Sequence, residues 1–486
     1  MSDRRRRKKT SSAFPIMMLL AMICGISVSV AALAIVHSHR QENPGSELGN
    51  SEYVSQEEQE QTTTAAPTEN PTEPSVNDSA EIKAILDQAQ FIAAGYDYER
   101  AISMLQGSAY YDQSAELQER VNEYTELNKQ LIVYDRPDTI THIFFHSLIV
   151  DTDRAFDGDV DQDGYNMYMT TVDEFQKILE QMHQKGYVLI SPYDMAHEVT
   201  DDSGTHFEYG KIRLPRGKTP FLMSQDDLNY YSYMIGTGSG INETPIFADT
   251  QGDGFAHKIV IGEDGFPTCE YMDAQGNITT GDYDLVPVLE RFIQQHPDFS
   301  YHGARAILGM TGYEGVFGYR TKPSYETAMG SEAYAAEVQA AKEVAQCLKE
   351  HGWILASHSY GHPAYGNLSA ERIERDSTKW ENTVESIIGE TDVILYPHGS
   401  DIENVRKYTF ENDKFSVLYE DGFRYFFNVD GRTWNQLGTN YFRGGRRNLD
   451  GYRIFHNPDM VADLIDAKNV LDPARPLPVP TVGGGM

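Results

Sequence analysis

"EAYAAEVQAAKEVAQCLKEHGWILASHSYGH", residues 332–362, decides how the rest of this 486-residue chain is read. Its first two-thirds is rich in alanine and other good helix formers and ends at Gly352, which predicts a long helix with a glycine stop. "WILASH" follows as a short apolar run, the pattern of a buried strand. Directly beyond that strand stand His358 and His362, four residues apart, a spacing that aims two imidazoles at one metal ion.

The unit repeats along the chain. "THIFFHSLIV" (141–150) is a strand candidate, and "TVDEFQKILEQMHQKG" (171–186) sets Phe175, Ile178, Leu179 and Met182 on one helical face. "YVLIS" (187–191) and "PFLMS" (220–224) are further strands, followed by a helix at "YDLVPVLERFIQQH" (283–296) and a strand at "ARAILG" (304–309). After the opening stretch come a helix at 369–389 and the strand "DVILYP" (392–397). Strands alternating with helices imply a parallel sheet, open or closed. Residues 232–282 break the rhythm. Asp-Gly and Gly-Asn turn signals between short alternating runs there predict an inserted β-hairpin or small β subdomain. The expected catalytic domain spans 138–480.

The amino-terminal part follows other rules. "RRRRKK" (4–9) precedes a long uncharged apolar run, which predicts a cytoplasmic basic tail over 1–13 and a transmembrane helix over 14–36. Residues 37–80 are rich in Gln, Glu, Thr, Pro and Ser and are expected to form a disordered linker. Residues 81–134 carry Ile82, Ile85, Leu86, Ala89 and Ile92 at helical spacing, the pattern of a helical stalk. The expectation is a single-pass protein of the cell membrane, anchored at its amino end, with an extracellular catalytic domain. A formal net charge of −33 argues against nucleic acid as a partner. Three cysteines (Cys24, Cys269, Cys347) imply no disulfide framework. Oligomeric state has no signal.

Three polar clusters share one topological position. "SQDD" follows "PFLM", "SHSYGH" follows "WILA", and "YPHGSD" follows "DVIL". In parallel α/β folds the carboxyl ends of strands gather on one face, where sites form. Asp226, Asp227, His358, His362 and His398 are therefore expected to converge. Two histidines and a carboxylate make a three-ligand divalent metal site, zinc by donor type, with positions left open. A cation also explains two adjacent aspartates: one ligates while the other faces the reacting water.

These motifs resemble those of the polysaccharide deacetylases with NodB homology, carbohydrate esterase family four. Ser224-Gln225-Asp226-Asp227 is similar to the family's first motif, His358-Ser359-Tyr360-Gly361-His362 matches its second, and Tyr396-Pro397-His398-Gly399 is similar to one form of its third. The resemblance implies a distorted (β/α) barrel of about seven parallel strands and a metal-dependent hydrolase that removes N-acetyl groups from a cell-surface polysaccharide such as peptidoglycan. It implies Asp227, His358 and His362 as metal ligands, Asp226 as base, and His456, in "YRIFHNPDM", as the acid, with His398 as the alternative. Tyr360, Tyr396 and His398 are expected at the substrate, with an oxyanion contact from a backbone N–H near Tyr396, and Tyr230 and Tyr231 are available for stacking on sugars. Gln225 and Leu228 depart from the family pattern, and no arginine stands beside Pro397 to orient the base, so Arg446 or Arg447 is the expected substitute. The alternative is a catalytically silent glycan-binding or wall-organising protein on the same fold; a weaker one is a peptide amidase.

Overall fold

A computed structural model describes residues 76–235 and 252–481. Seven parallel strands close on themselves: β1 (Thr141–Phe145), β2 (Thr219–Gln225), β3 (Ile307–Met310), β4 (Ile354–Ser357), β5 (Val393–Leu395), β6 (Tyr425–Val429) and β7 (Phe442–Asn448). Closure comes from β7 pairing with β1, where Arg446 lies opposite His142. The barrel is distorted at one edge. The strand Tyr187–Leu189 pairs with the first half of β2, while β3 takes the second half of the same edge at Ser224 and Gln225.

Period-two alternation divides each strand between two environments. Leu222, Ile307, Ala356, Val393, Leu395, Phe427 and Phe442 pack together inside the barrel. Their neighbours Phe221, Met223, Leu308 and Leu355 face the surrounding helices. The helices fill the crossovers: α4 (Val172–Gln184), α5 (Leu285–Gln295), α6 (Ser331–Glu350), α7 (Ala370–Trp380) and α8 (Asp413–Glu420). Helix α4 starts with a capping box between Thr171 and Glu174. Gly352 ends α6 at φ 89°, and a Cβ there would stand 2.7 Å from the Gly303 carbonyl oxygen, so the sharp return into β4 requires glycine.

Before the barrel, α1 (Val76–Ala94), α2 (Tyr98–Gln106) and α3 (Ala115–Gln130) bury Ala89, Ala101, Leu105 and Leu117 against one another. They belong to the same compact unit as the barrel, where the Tyr96 hydroxyl donates to the Asp298 carbonyl at 2.8 Å. The insertion is a three-stranded antiparallel sheet of Lys258–Ile261, Pro267–Met272 and Ile278–Gly281. A further hairpin, Ala196–Asp201 with Gly204–Tyr209, occupies what the sequence presents as a loop. Both described cysteines, Cys269 and Cys347, are free and buried.

The membrane expectation is corrected. Among the described residues no helix is long and apolar enough to cross a membrane. The span expected over 14–36 lies outside the described residues, as does the basic tail. The described residues hold no spanning helix, and the membrane partner, the single-pass topology and the cell-membrane localisation are withdrawn. Most of the linker expected over 37–80 also lies outside the described residues, and a helix begins at Val76.

Candidate active site

Alternation along the strands builds this site. On β2, Leu222 and Ser224 point inward, so the next inward position is Asp226, at the barrel mouth. On β4, Ala356 is followed inward by His358, and on β1, Phe144 by His146. The interior thus changes from apolar to polar towards the carboxyl ends: above the apolar layer lie His142, Ser224 and Arg446. His142 Nε2 is 3.0 Å from Ser224 Oγ, and the Arg446 guanidinium reaches the same hydroxyl at 3.2 Å.

Arg446 then grips Asp226 with both arms, Nη1 to Oδ1 at 2.5 Å and Nη2 to Oδ2 at 2.9 Å. Asp226 is 3% exposed. Burial alone would raise its carboxyl. The Arg446 charge and hydrogen bonds, with His358 and His146 nearby, instead hold it well below the usual carboxylate range. Parity on β7 selects between the two expected arginines: Arg446 shares the inward phase of Phe442, while Arg447 turns outward to Asp463.

Asp227 sits one residue past the inward position, and its backbone turns left-handed at φ 58°. That turn carries its carboxylate from the mouth to the rim. The Tyr231 hydroxyl donates to Asp227 Oδ1 at 2.7 Å. His358 Nδ1 donates to the Leu395 carbonyl at 2.8 Å, which leaves Nε2 as the lone-pair nitrogen. His362, at φ 50°, sets its Nε2 3.8 Å from Asp227 Oδ2. The ligating atoms of Asp227, His358 and His362 all lie within 4.8 Å of one another. Burial, opposed by Asp227 and reinforced by the His358 and His398 rings, pushes the His362 ring down to about 4, so it is neutral near pH 7. Two imidazoles and a carboxylate fit a divalent cation. Left-handed backbone at Asp227, Tyr230, Ser359, His362 and His398 places five such non-glycine residues around this rim. Backbone strain of this kind persists only where surrounding structure enforces it.

The unusual residues of the first motif have structural partners. Gln225 faces outward and donates from Nε2 to Asp284 Oδ2 at 2.9 Å, beside the Tyr230 hydroxyl at 2.6 Å. The other Asp284 oxygen accepts the Leu148 and Leu285 N–H groups at 2.9 and 2.8 Å. Leu228 is fully buried and bridges Gly309 and Phe317 through its backbone, so an apolar anchor suits that position. Asp284 lies far along the chain from the motif and has no local signal in the sequence.

Other expected residues fall elsewhere. The Tyr396 ring is buried with its hydroxyl against Tyr408, and its N–H donates to the Phe427 carbonyl at 2.8 Å. The Tyr360 ring is buried beneath the Lys379 ammonium, 3.9 Å from its centroid. Tyr230 is wholly buried. His398 is at the rim: its Nε2 donates to the His362 carbonyl at 3.2 Å. His456 lies on the short helix after β7 and its Nε2 is 2.8 Å from the Val479 carbonyl oxygen. His146, the next inward residue of β1, is instead the histidine whose charge acts on both Asp226 and Asp450. A cleft of about 460 Å³ opens beside Asp227 and His362, lined by Tyr231, Tyr233, Tyr313 and Tyr325 with Glu314 and Lys322.

A family model described as polysaccharide deacetylase matches residues 329–413, the segment from the start of α6 through β4 and β5 to the loop before α8. No curated protein matches the chain. Among solved structures, the chain is similar to the Streptococcus pyogenes deacetylase PplD in complex with acetate, at 13% identity and TM-score 0.34, over 67% of this chain and 97% of that one. It is also similar to a de-N-acetylase from Aggregatibacter actinomycetemcomitans, at 11% identity and TM-score 0.35, over 68% and 99% of the two chains.

Proposed function

We propose that this protein is a metal-dependent hydrolase that removes N-acetyl groups from a polysaccharide, with peptidoglycan as the first glycan to test. One observation carries the reading. Asp227, His358 and His362 cluster within ligating reach at the carboxyl-end rim, beside an aspartate that Arg446 keeps ionised. The deacetylase model matched over 329–413 supports the same reading, since that stretch contains both histidines. The row of tyrosines along the adjoining cleft suits stacking on sugar rings.

Asp227, His358 and His362 would hold a divalent cation, zinc being the species this donor set suits, which supplies Lewis acidity to the amide carbonyl. Asp226 takes the proton of the attacking water. Its depressed pKa makes it a weak base, so the transfer succeeds only from water that is already acidified. Tyr231 fixes the orientation of Asp227, and the Leu395 carbonyl fixes the tautomer of His358. We assign protonation of the departing amine to His146, which faces Asp226 from β1, because His456 is engaged with the Val479 carbonyl.

The test is acetate release by the full chain from N-acetylated oligosaccharides and from peptidoglycan. Asp226→Asn is expected to lower the rate about 10²–10⁴-fold while zinc content stays at the wild-type level. Undiminished acetate release in that variant would remove Asp226 as the base. No release by zinc-loaded wild type from any N-acetylated glycan would remove the whole reading.

A further inference from the structure

A second trio of two histidines and an aspartate lies away from the rim. His183 is in the last turn of α4, His296 caps the end of α5, and Asp298 is in the turn Pro297–Phe299. Crossover helices in a parallel barrel run back towards the amino ends of the strands, so these helix ends collect opposite Asp227. Lys218, which precedes β2, marks the same end: its Nζ is 3.0 Å from Asp298 Oδ2.

The donors are already close. His183 Nε2 lies 2.9 and 3.1 Å from the two Asp298 oxygens, and the His183 and His296 rings are 4.6 Å apart. All three offer ligating atoms within 4.8 Å of one another, and all are half-buried. Two ligands about 2.0–2.2 Å from one cation, in neighbouring positions, stand roughly 3 Å apart, the separation seen between His183 and Asp298. His296 has ring contacts with His183 and Phe292 but no hydrogen-bond partner for either ring nitrogen among the described residues. A cavity of about 490 Å³ borders His183 and His296 and leaves room for water as a further ligand. Lys218 bonds only Oδ2, so Oδ1 faces His183, itself a member of the trio.

We infer that His183, His296 and Asp298 form a second divalent transition-metal site, zinc by donor type, with a structural role. Its position states that role. Asp298 accepts the Tyr96 hydroxyl through its carbonyl, and His302 donates its N–H to the Gly95 carbonyl at 2.8 Å. The segment between them is where the end of α1 rests on the barrel. A cation bound there joins α4 to that seat. The inference is independent of the deacetylase reading.

The experiment removes the rim ligands first. Full chain carrying His358→Ala and His362→Ala is stripped with chelator, reloaded with zinc alone, and its bound metal measured by mass spectrometry beside its thermal midpoint. The expected result is roughly one equivalent of zinc and a midpoint raised by zinc, with both lost when His296→Ala is added. His183→Gln in the same background serves as the second variant, and far-UV circular dichroism confirms that each is folded. No zinc retained by the rim-less chain, or zinc retained undiminished after both His296→Ala and His183→Gln, overturns the second site. Absence of acetate release by zinc-loaded wild type, with this zinc count intact in the rim-less chain, would sink only the deacetylase reading.

Discussion

At the carboxyl end of the barrel, each member of the trio has a support or setting of its own. Tyr231 holds Asp227, the Leu395 carbonyl holds His358, and a left-handed backbone sets His362. At the amino end, the donors satisfy one another: His183 bonds Asp298, and Asp298 also answers Lys218. The rim trio has a neighbouring carboxylate, Asp226, sealed against Arg446; the other has a lysine bonded to its own carboxylate. Equal donor sets therefore suit unequal tasks. A hydrolytic centre needs ligands held from outside, free lone pairs and an ionised carboxylate nearby, whereas a structural site needs only proximity.

The sharpest way to break that contrast is to remove the charge beside each carboxylate, beginning with Arg446. The pair is shut away, with side chains 0% and 4% exposed. Arg446→Met leaves a buried carboxylate without its partner and is expected to lower the unfolding free energy by about 3–5 kcal/mol, measured by urea denaturation at neutral pH. A loss under about 1 kcal/mol would show that Asp226 is not sustained by Arg446, and the distinction between the two ends would fall with it.

A smaller effect sharpens the contrast through pH. The His362 ring stands at about 4 when folded, against an ordinary value of about 6.5 when unfolded. Between those values the unfolded chain takes up a proton that the folded chain refuses, so stability falls as pH drops from about 6.5 to about 4. Asp226 acts with the same sign in a lower window. Its folded carboxyl is depressed, so its contribution is complete above the usual carboxylate value and is lost only below it. The metal-stripped chain should thus lose on the order of 3 kcal/mol across the first window. His362→Gln should remove most of that slope. An unchanged slope in the variant would assign it to another group.

How far the sequence foretells this structure depends on the residue. β1 to β5 are legible because each has an apolar run bounded by turn residues. β7 is not: "FRGGRRN" has two glycines and three arginines, and only its alternation places Arg446 with Phe442 on the inner face. The hairpin at 196–209 is hidden because both of its strands are largely exposed and lack an apolar face. Within the site, His358 and His362 announce themselves by spacing and strand position, and the two aspartates by adjacency. The tyrosines do not sort themselves. Tyr230 and Tyr360 are buried, whereas Tyr313 and Tyr325 reach the cleft, because that outcome depends on loops brought together by the fold rather than on local pattern. His146 was visible as the residue after a strand, and inward parity from Phe144 is the signal that singles it out over His456.

The smallest effect is the most discriminating, because its sign differs between the metal-free and the zinc-loaded chain. Lys218 and Asp298 have side chains 23% and 40% exposed, so water already screens their attraction. Lys218→Met should cost the metal-free chain less than about 1 kcal/mol. With zinc present the balance reverses. Charges of +2 and +1 about 5 Å apart in water-like surroundings repel by about 1.7 kcal/mol, so an ion held by the Asp298 carboxylate should bind roughly tenfold tighter once the lysine is removed. Zinc titration of Lys218→Met in the background lacking His358 and His362 makes the measurement. Weaker binding there would mean that Lys218 organises the amino-end cluster instead of competing with a cation for it.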